Sequence, residues 1–254
     1  ESILSVHHWS PSLFSFVLTR PASFRFSAGQ FARIGLKIDG QPVIRAYSVV
    51  SSPFDEFLEF FSIVVPDGAL TPVLQRVQVG DSILLEKQSF GFLTLARYQQ
   101  PLPQDLWLLA TGTGLAPFLS ILQDFSVWQQ YRRIVLAYSV RTAHELAYAE
   151  KIRGLQELFD PDHQAEFQFI PIITRATDAE TALLQTSQLR QRLPLLIRSG
   201  SLEDTAGFPL SVDRSHVMVC GNPQMVEDTR NALKEKGLTM NRRGEGNIAV
   251  ENYW

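Results

Sequence analysis

Apolar and polar positions fall into two rhythms along the chain, one on each side of residue 100. From Leu13 to Leu95, short apolar, β-branched or aromatic runs alternate with turn residues: Leu13–Thr19, Phe31–Leu36, Arg45–Val50, Phe57–Val65 and Ser82–Glu86. Between them stand Pro21, Gly29, Asp39-Gly40, Ser52-Pro53, Pro66-Asp67-Gly68 and Gly80-Asp81, whose backbone preferences favour turns. Many short strands with regular breaks predict a small antiparallel β-barrel.

Gln99–Gln104, with prolines at 101 and 103, reads as a linker. Beyond it, fully apolar runs alternate with amphipathic segments. Strands are expected at Leu106–Ala110, Ile134–Ser139, Phe167–Thr174 and His216–Cys220, and helices at Leu115–Phe125, Ala143–Phe159 and Pro223–Lys236. That alternation predicts an α/β doubly wound parallel sheet. The expected organisation is therefore a barrel domain, residues 1–100, followed by an α/β domain, residues 101–254. Ligands of open parallel sheets bind beyond the carboxyl ends of the strands, so chemistry is expected just after Ala110, Ser139, Thr174 and Cys220.

Composition narrows the chemistry. The 254 residues are 45% hydrophobic and 19% charged, as in ordinary globular chains, and the net charge of -3 gives no reason to expect nucleic acid. A single cysteine, Cys220, excludes an internal disulfide and supplies too few thiolates for an iron–sulfur cluster. One-electron chemistry would then need an organic cofactor or a partner. The five histidines have no metal-ligand spacing, so no metal is expected. The longest apolar runs, such as Leu193 to Ile197, are far short of a membrane span, and no secretory signal is visible. A cytoplasmic monomer is the expectation.

Several short motifs carry candidate chemistry. Arg45-Ala46-Tyr47-Ser48 puts a cation, a hydroxylated ring and a serine on one strand, a set able to grip a phosphate and line a flat ring. Taken alone, it also reads as an ordinary strand with one exposed arginine. Pro66-Asp67-Gly68-Ala69-Leu70-Thr71 follows a strand with a glycine turn; alone it reads as a helix start, Thr71 capping Pro72–Arg76. Thr111-Gly112-Thr113-Gly114-Leu115-Ala116-Pro117 fits the first two glycines of a dinucleotide fingerprint, has Pro117 at the third, and lacks a P-loop lysine. Cys220-Gly221-Asn222-Pro223-Gln224-Met225 turns the chain after the last strand, putting the thiol at the sheet's open end; alone, Cys220 reads as a buried structural cysteine. Glu251-Asn252-Tyr253-Trp254 ends on two aromatics suited to covering something flat.

In this order the motifs resemble those of the bacterial ferredoxin/flavodoxin–NADP(H) reductases, over residues 45 to 254. The resemblance implies an FAD-dependent oxidoreductase moving electrons between NADP(H) and an acidic carrier, ferredoxin or flavodoxin, by hydride transfer at flavin N5 and one-electron steps. By similarity, Arg45, with Ala46 beside it, pairs with the FAD pyrophosphate, and Tyr47 packs on the isoalloxazine and ribityl chain. Ser48 bonds near N5, while Gly68, Leu70 and Thr71 serve the pyrophosphate. Tyr253 covers the nicotinamide side of the flavin and swings aside, and Trp254 lies toward the adenine. Thr111, which also borders FAD, joins Gly112, Thr113, Gly114, Cys220, Gly221, Asn222 and Met225 in cradling NADP(H). Cys220 stands near the reacting carbon, and Glu251 exchanges a proton with the flavin through Ser48 or water.

NADP(H) over NAD(H) rests on charge. The strand ending Tyr138-Ser139-Val140-Arg141 lacks a terminal acid for a free ribose hydroxyl, while Arg141, Thr174, Arg175, Arg190 and Arg192 offer a phosphate its partners. Gln191 stands where the family has glycine. Arg132-Arg133, Arg153 and Arg242-Arg243 are candidates for steering an acidic carrier. Two alternatives stay open: the reductase of an NADH-dependent oxygenase with a separate ferredoxin, and a flavin- or nucleotide-binding regulatory subunit without turnover.

Overall fold

The computed structural model describes residues 1–98, 103–159, 165–177 and 189–252. By its internal contacts the chain forms two compact units: Glu1–Thr94 with Ala116–Asp124, and Leu95–Leu115 with the chain from Phe125 onward. Residues 99 to 102 of the expected linker lie outside the described residues.

The first unit is all-β apart from short helices. Its strands are β1 (Ile3–His8), β2 (Leu13–Thr19), β3 (Phe31–Ile38), β4 (Gln41–Ser48), β5 (Phe57–Ile63) and β6 (Leu84–Phe90). They make two antiparallel sheets, ordered β1-β2-β5 and β4-β3-β6. Single bridges, Val49 with Phe60 and Ser2 with Ser82, link the sheets on both sides and close the expected barrel. Phe14, Phe16, Leu18, Ile34, Leu58 and Phe60 fill its interior, with Phe16 and Phe60 stacked 5.7 Å apart. Asp39 and Gly40, both at positive φ (51° and 78°), make the two-residue hairpin turn between β3 and β4 that an Asp-Gly pair favours. That turn fixes the register in which Tyr47 pairs with Ala32 and Ser48 with Phe31.

A short helix, α1 (Thr71–Leu74), follows β5. A second, α2 (Ala116–Leu122), is buried along its whole length. Ser120 Oγ donates to the Ser51 carbonyl at 2.8 Å and Gln123 Nε2 to the Val50 carbonyl at 2.7 Å. These bonds fasten the backbone that leaves β4 directly after Ser48.

The second unit is built on five parallel strands: β7 (Asp105–Thr111), β8 (Arg133–Val140), β9 (Glu166–Ile173), β10 (Ser215–Gly221) and β11 (Ile248–Asn252). Their order is β11-β10-β7-β8-β9. β7 and β10 are buried almost throughout, which is why they read as unbroken apolar runs. Among the described residues the unit also contains helices α3 (Phe125–Gln130), α4 (Ala149–Phe159), α5 (Leu193–Ser199), α6 (Ser201–Ala206) and α7 (Pro223–Glu235). Leu193, Leu196 and Ile197 of α5 and Val226 and Leu233 of α7 share one core with Trp107, Leu109, Val135 and Val219 of the sheet. Among the described residues no helix is long and apolar enough to cross a membrane, and no group of three or more His, Cys, Asp or Glu converges as a metal site.

Two expected helices are each divided. The segment Leu115–Phe125 becomes α2, with α3 starting at Phe125. The segment Ala143–Phe159 becomes a 3-10 turn, Ala143–Glu145, and then α4, separated by buried Tyr148 at φ 61°. Tyr138 of β8 donates from its hydroxyl to the Glu145 carbonyl at 3.2 Å, holding that turn away from the helix axis. Thr71, read as a helix cap, is instead the first helical residue; Leu70 occupies the cap position and makes no side-chain capping bond. β1 and β11 were not expected from the apolar pattern.

The amino-terminal end of the parallel sheet is held by polar groups. Asp105, 1% exposed, receives both Nε (2.7 Å) and Nη2 (2.8 Å) of Arg133, whose guanidinium lies 3.8 Å from the Phe208 ring centre. Arg133 is therefore committed to the fold, which removes it from the arginines expected to steer a carrier. Nearby, the His216 ring stacks on Tyr98 (3.6 Å, 14°), and its Nδ1 is 2.8 Å from the Tyr131 hydroxyl. Burial pushes the imidazole down to about 4 from its usual 6.5, so it is neutral in the folded protein at pH 7. Because the unfolded chain takes up that proton first, stability present above about pH 6.5 should drain away toward pH 4, by about 3 kcal/mol at most. Urea denaturation across that range should show a steeper acid loss for the wild type than for His216→Phe; parallel pH profiles would contradict the assignment.

Candidate functional site

On the first unit the motif residues cluster at the end of β4 and the start of α1. Arg45 is exposed, and its Nη1 donates to the Ile44 carbonyl at 2.8 Å. Two residues on, Tyr47 is half-buried and edge-on to Phe16 and Phe60, at 6.3 and 6.4 Å. Burial raises the Tyr47 phenol above its usual range, against smaller opposite effects from Ser62 and the Arg45 charge, so it stays protonated at neutral pH. Ala46 is exposed and Ser48 is buried, 3% accessible. In the loop after β5, Gly68 N–H donates to the Val65 carbonyl at 2.9 Å, and the Thr71 hydroxyl accepts from Val65 N–H at 2.8 Å. The Thr71 hydroxyl thus serves the loop's own backbone. Leu70 is buried beneath it.

On the second unit the site is at the carboxyl edge of the sheet. Strand order runs outward from β7 to β8 and β9, then returns to β10 on the other side of β7, so the two loops that diverge there flank a crevice. Thr111 ends β7, and Gly112 turns the chain at φ 53°. Gly114 lies so near β10 that a Cβ on it would stand 2.2 Å from the Cys220 carbonyl oxygen. A Cβ on Gly221 would stand 2.2 Å from Thr111 Oγ1 and 2.4 Å from Met225 Cε. Side chains are excluded at Gly114 and Gly221 themselves, and glycine backbone of this kind is what a pyrophosphate can approach closely.

Asn222 caps α7, its side-chain oxygen accepting from Met225 N–H at 3.0 Å, and Thr229 Oγ1 lies 3.3 Å from Met225 Sδ. The Thr111 hydroxyl is buried with no hydrogen-bond partner among the described residues. An orphaned hydroxyl beside two glycine loops fits a site that a polar ligand completes. Thr113 borders the same turn. Cys220 pairs in register with Ala110 of β7 and Glu251 of β11, which puts Cys220 and Glu251 on neighbouring strands at one level. Expected with its thiol at the sheet's open end, Cys220 is the penultimate residue of β10 and is fully buried. Tyr253 and Trp254 lie outside the described residues.

The exits of β8 and β9 bring the arginines together. Thr174 N–H donates to the Val140 carbonyl at 2.9 Å and Arg175 N–H to the Arg141 carbonyl at 2.8 Å, extending the parallel pairing by two residues. Ile173 N–H donates to the Leu189 carbonyl at 3.3 Å, which brings the segment bearing exposed Arg190 and Arg192 to the same strand end. Arg192 caps α5 through its backbone.

The sequence reading missed Glu145. Its carboxylate accepts from Arg141 Nε at 2.9 Å and from Arg141 N–H at 3.0 Å. Burial alone would raise this carboxyl, but hydrogen bonds from Arg141 and the Arg141 charge hold it below the usual carboxylate range. The i, i+4 spacing of Arg141 and Glu145 was the available signal. Of the other arginines expected to meet a carrier, Arg132, Arg242 and Arg243 precede or open β8 and β11, at the end of the sheet opposite the glycine loops, and Arg153 is exposed on α4.

The chain matches the oxidoreductase FAD-binding domain family over residues 5–89 and the oxidoreductase NAD-binding domain family over residues 108–231. It is 40% identical to the ferredoxin–NADP reductase of Pseudomonas aeruginosa, covering 99% of this chain and 95% of that protein. With the flavodoxin/ferredoxin–NADP reductase of Escherichia coli K12 it shares 39% identity over 99% and 97% of the two chains. A crystal structure of a Neisseria gonorrhoeae ferredoxin NADP+ reductase with bound FAD and NADP superposes with a TM-score of 0.89, at 37% identity, covering 99% of this chain and 96% of that one. A barrel and a parallel sheet, each with its glycine-turned binding loop, joined to these matches, establish that the chain belongs to the ferredoxin/flavodoxin–NADP reductase family of FAD-dependent oxidoreductases.

Proposed function

We propose that the chain carries electrons between NADP(H) and ferredoxin or flavodoxin, with FAD held by the first unit and the pyridine nucleotide by the second. What carries this reading is the pair of close glycine approaches, Gly114 to the Cys220 backbone and Gly221 to the Thr111 side chain, at the point where strand order reverses. When bound, FAD supplies the exchange of a hydride with the nicotinamide and of single electrons with the carrier.

The chain's own residues bind and orient. Arg45, exposed beside the half-buried ring of Tyr47, is the cation for the FAD pyrophosphate, with Ala46 leaving room next to it. Tyr47 lines the flavin and Ser48 bonds to its reacting edge. Leu70 and Thr71 offer main-chain N–H groups to the same phosphates, since the Thr71 hydroxyl already serves Val65, and Gly68, its own N–H bound to the Val65 carbonyl, gives them room to approach. Thr111, Gly112, Thr113 and Gly114 face Gly221, Asn222 and Met225 across the nucleotide crevice. Arg141, Thr174, Arg175 and Arg192, with Arg190 alongside, receive the ribose 2′-phosphate. Cys220 borders the nicotinamide and Glu251, its neighbour in register, handles the proton. Tyr253 and Trp254 cover the flavin on the strength of their motif.

An acidic carrier suits exposed Arg132, Arg153, Arg242 and Arg243. A single buried cysteine fits a reducing compartment, and we assign the protein to the cytoplasm as a monomer.

The purified protein should be yellow, and anaerobic NADPH should bleach it. A protein that stays colourless when supplied with FAD would end this reading, and a clear preference for NADH would redirect it to an oxygenase reductase. Arg45→Ala should weaken FAD retention by about ten- to a hundred-fold, the value of one charge-assisted hydrogen bond, as measured by equilibrium dialysis; unchanged retention would remove Arg45 from the site. Gly114→Ala must displace the Cys220 backbone, so kcat/KM for NADPH should fall by about a hundred-fold while the flavin spectrum persists.

A further inference from the structure

We infer that Glu145 is a positioning residue for nucleotide selectivity, holding Arg141 at the exit of β8 so that its guanidinium is fixed before a 2′-phosphate arrives. The inference rests on the reading that Arg141 belongs to the 2′-phosphate site.

Glu145 is itself restrained from three sides. The Tyr138 hydroxyl donates to its carbonyl at 3.2 Å, its own N–H donates to the Thr142 carbonyl at 3.1 Å, and its carboxylate is bound by Arg141. Oε1 receives Arg141 Nε at 2.9 Å and also Nη2, while Oε2 receives the Arg141 main-chain N–H at 3.0 Å and Nε at 3.2 Å. Both oxygens are thus turned onto Arg141, with the Thr142 main chain adding a further hydrogen bond. Arg141 keeps 53% of its side chain exposed even so, against 20% for Glu145. The Nε/Nη2 edge is occupied, and Nη1 makes no part of that bond set.

Two effects oppose one another. A carboxylate near a phosphate dianion repels it, but a long arginine left free at the surface would have to surrender its rotamer freedom on binding. The geometry favours the second effect. The carboxylate is mostly covered and already engaged through both oxygens, so the charge presented to solvent is the guanidinium's, and prior ordering lowers the entropic cost of capture. Arg175, whose main-chain N–H bonds to the Arg141 carbonyl at 2.8 Å, is tied to the same point of backbone.

Calorimetric titration of the holoenzyme with 2′-phospho-AMP and with AMP tests this on wild type, Arg141→Ala, Glu145→Gln and the double variant. Glu145→Gln should weaken 2′-phospho-AMP by about five-fold or more while AMP binding stays level, and should add nothing in the Arg141→Ala background, the signature of action through one partner. The ratio of kcat/KM for NADPH over NADH should fall in step. Unchanged or tighter 2′-phospho-AMP binding in Glu145→Gln, or an equal loss without Arg141, would overturn the inference. If Arg141→Ala itself leaves the preference for 2′-phospho-AMP intact, the underlying phosphate site is what fails, and the inference falls with it.

Discussion

The constraint on which the second unit depends is the contact of two backbones with no side chain between them. Where the Gly112–Leu115 turn passes β10, the space for a Cβ on Gly114 is already taken by the Cys220 carbonyl, while on Gly221 that space is filled by the Thr111 and Met225 side chains. Only glycine at both positions lets β7 and β10 end side by side with their loops in contact. The crevice, the cap of α7 by Asn222 and the buried position of Cys220 all follow from that approach. A sheet of the same order with a side chain at Gly114 would be pried open at its carboxyl edge.

The first unit solves a different problem. Its barrel must hold Arg45, Tyr47 and Ser48 on a strand that has solvent on one side, and it does so by tying down what flanks them. The Asp39-Gly40 turn sets the register ahead of the motif, and the bonds from Ser120 and Gln123 fix the backbone behind it. The motif is thus held from the chain on either side of it.

How much of this was readable depended on whether the signal was local. The parallel strands were legible because burial on both faces leaves an uninterrupted apolar run, as in β7, and the glycine loops were legible because backbone geometry there demands a specific residue. What escaped was decided by partners outside each segment's own pattern. β11 is a strand because β10 accepts it, and β1 because β2 does. The turn at Ala143–Glu145 breaks a helical pattern because Tyr138, on a neighbouring strand, takes the Glu145 carbonyl. Arg133 looked like a surface cation until Asp105 and Phe208, far away in the chain, closed around it. The pairing of Arg141 with Glu145 depends on a bend that the four-residue spacing alone does not announce.

The helix Ala116–Leu122 is made of chain that comes after the first strand of the parallel sheet, yet it is grouped with the barrel and bonds to its Ser51 carbonyl. During synthesis the barrel strands therefore emerge before the helix that fastens the backbone behind β4, which follows after another thirty or so residues, by which time β7 has also emerged. The two halves are interleaved in time as well as in sequence, and a gene fragment cut after β6 would encode all the barrel strands but leave the Ser51 and Val50 carbonyls without their partners from the helix.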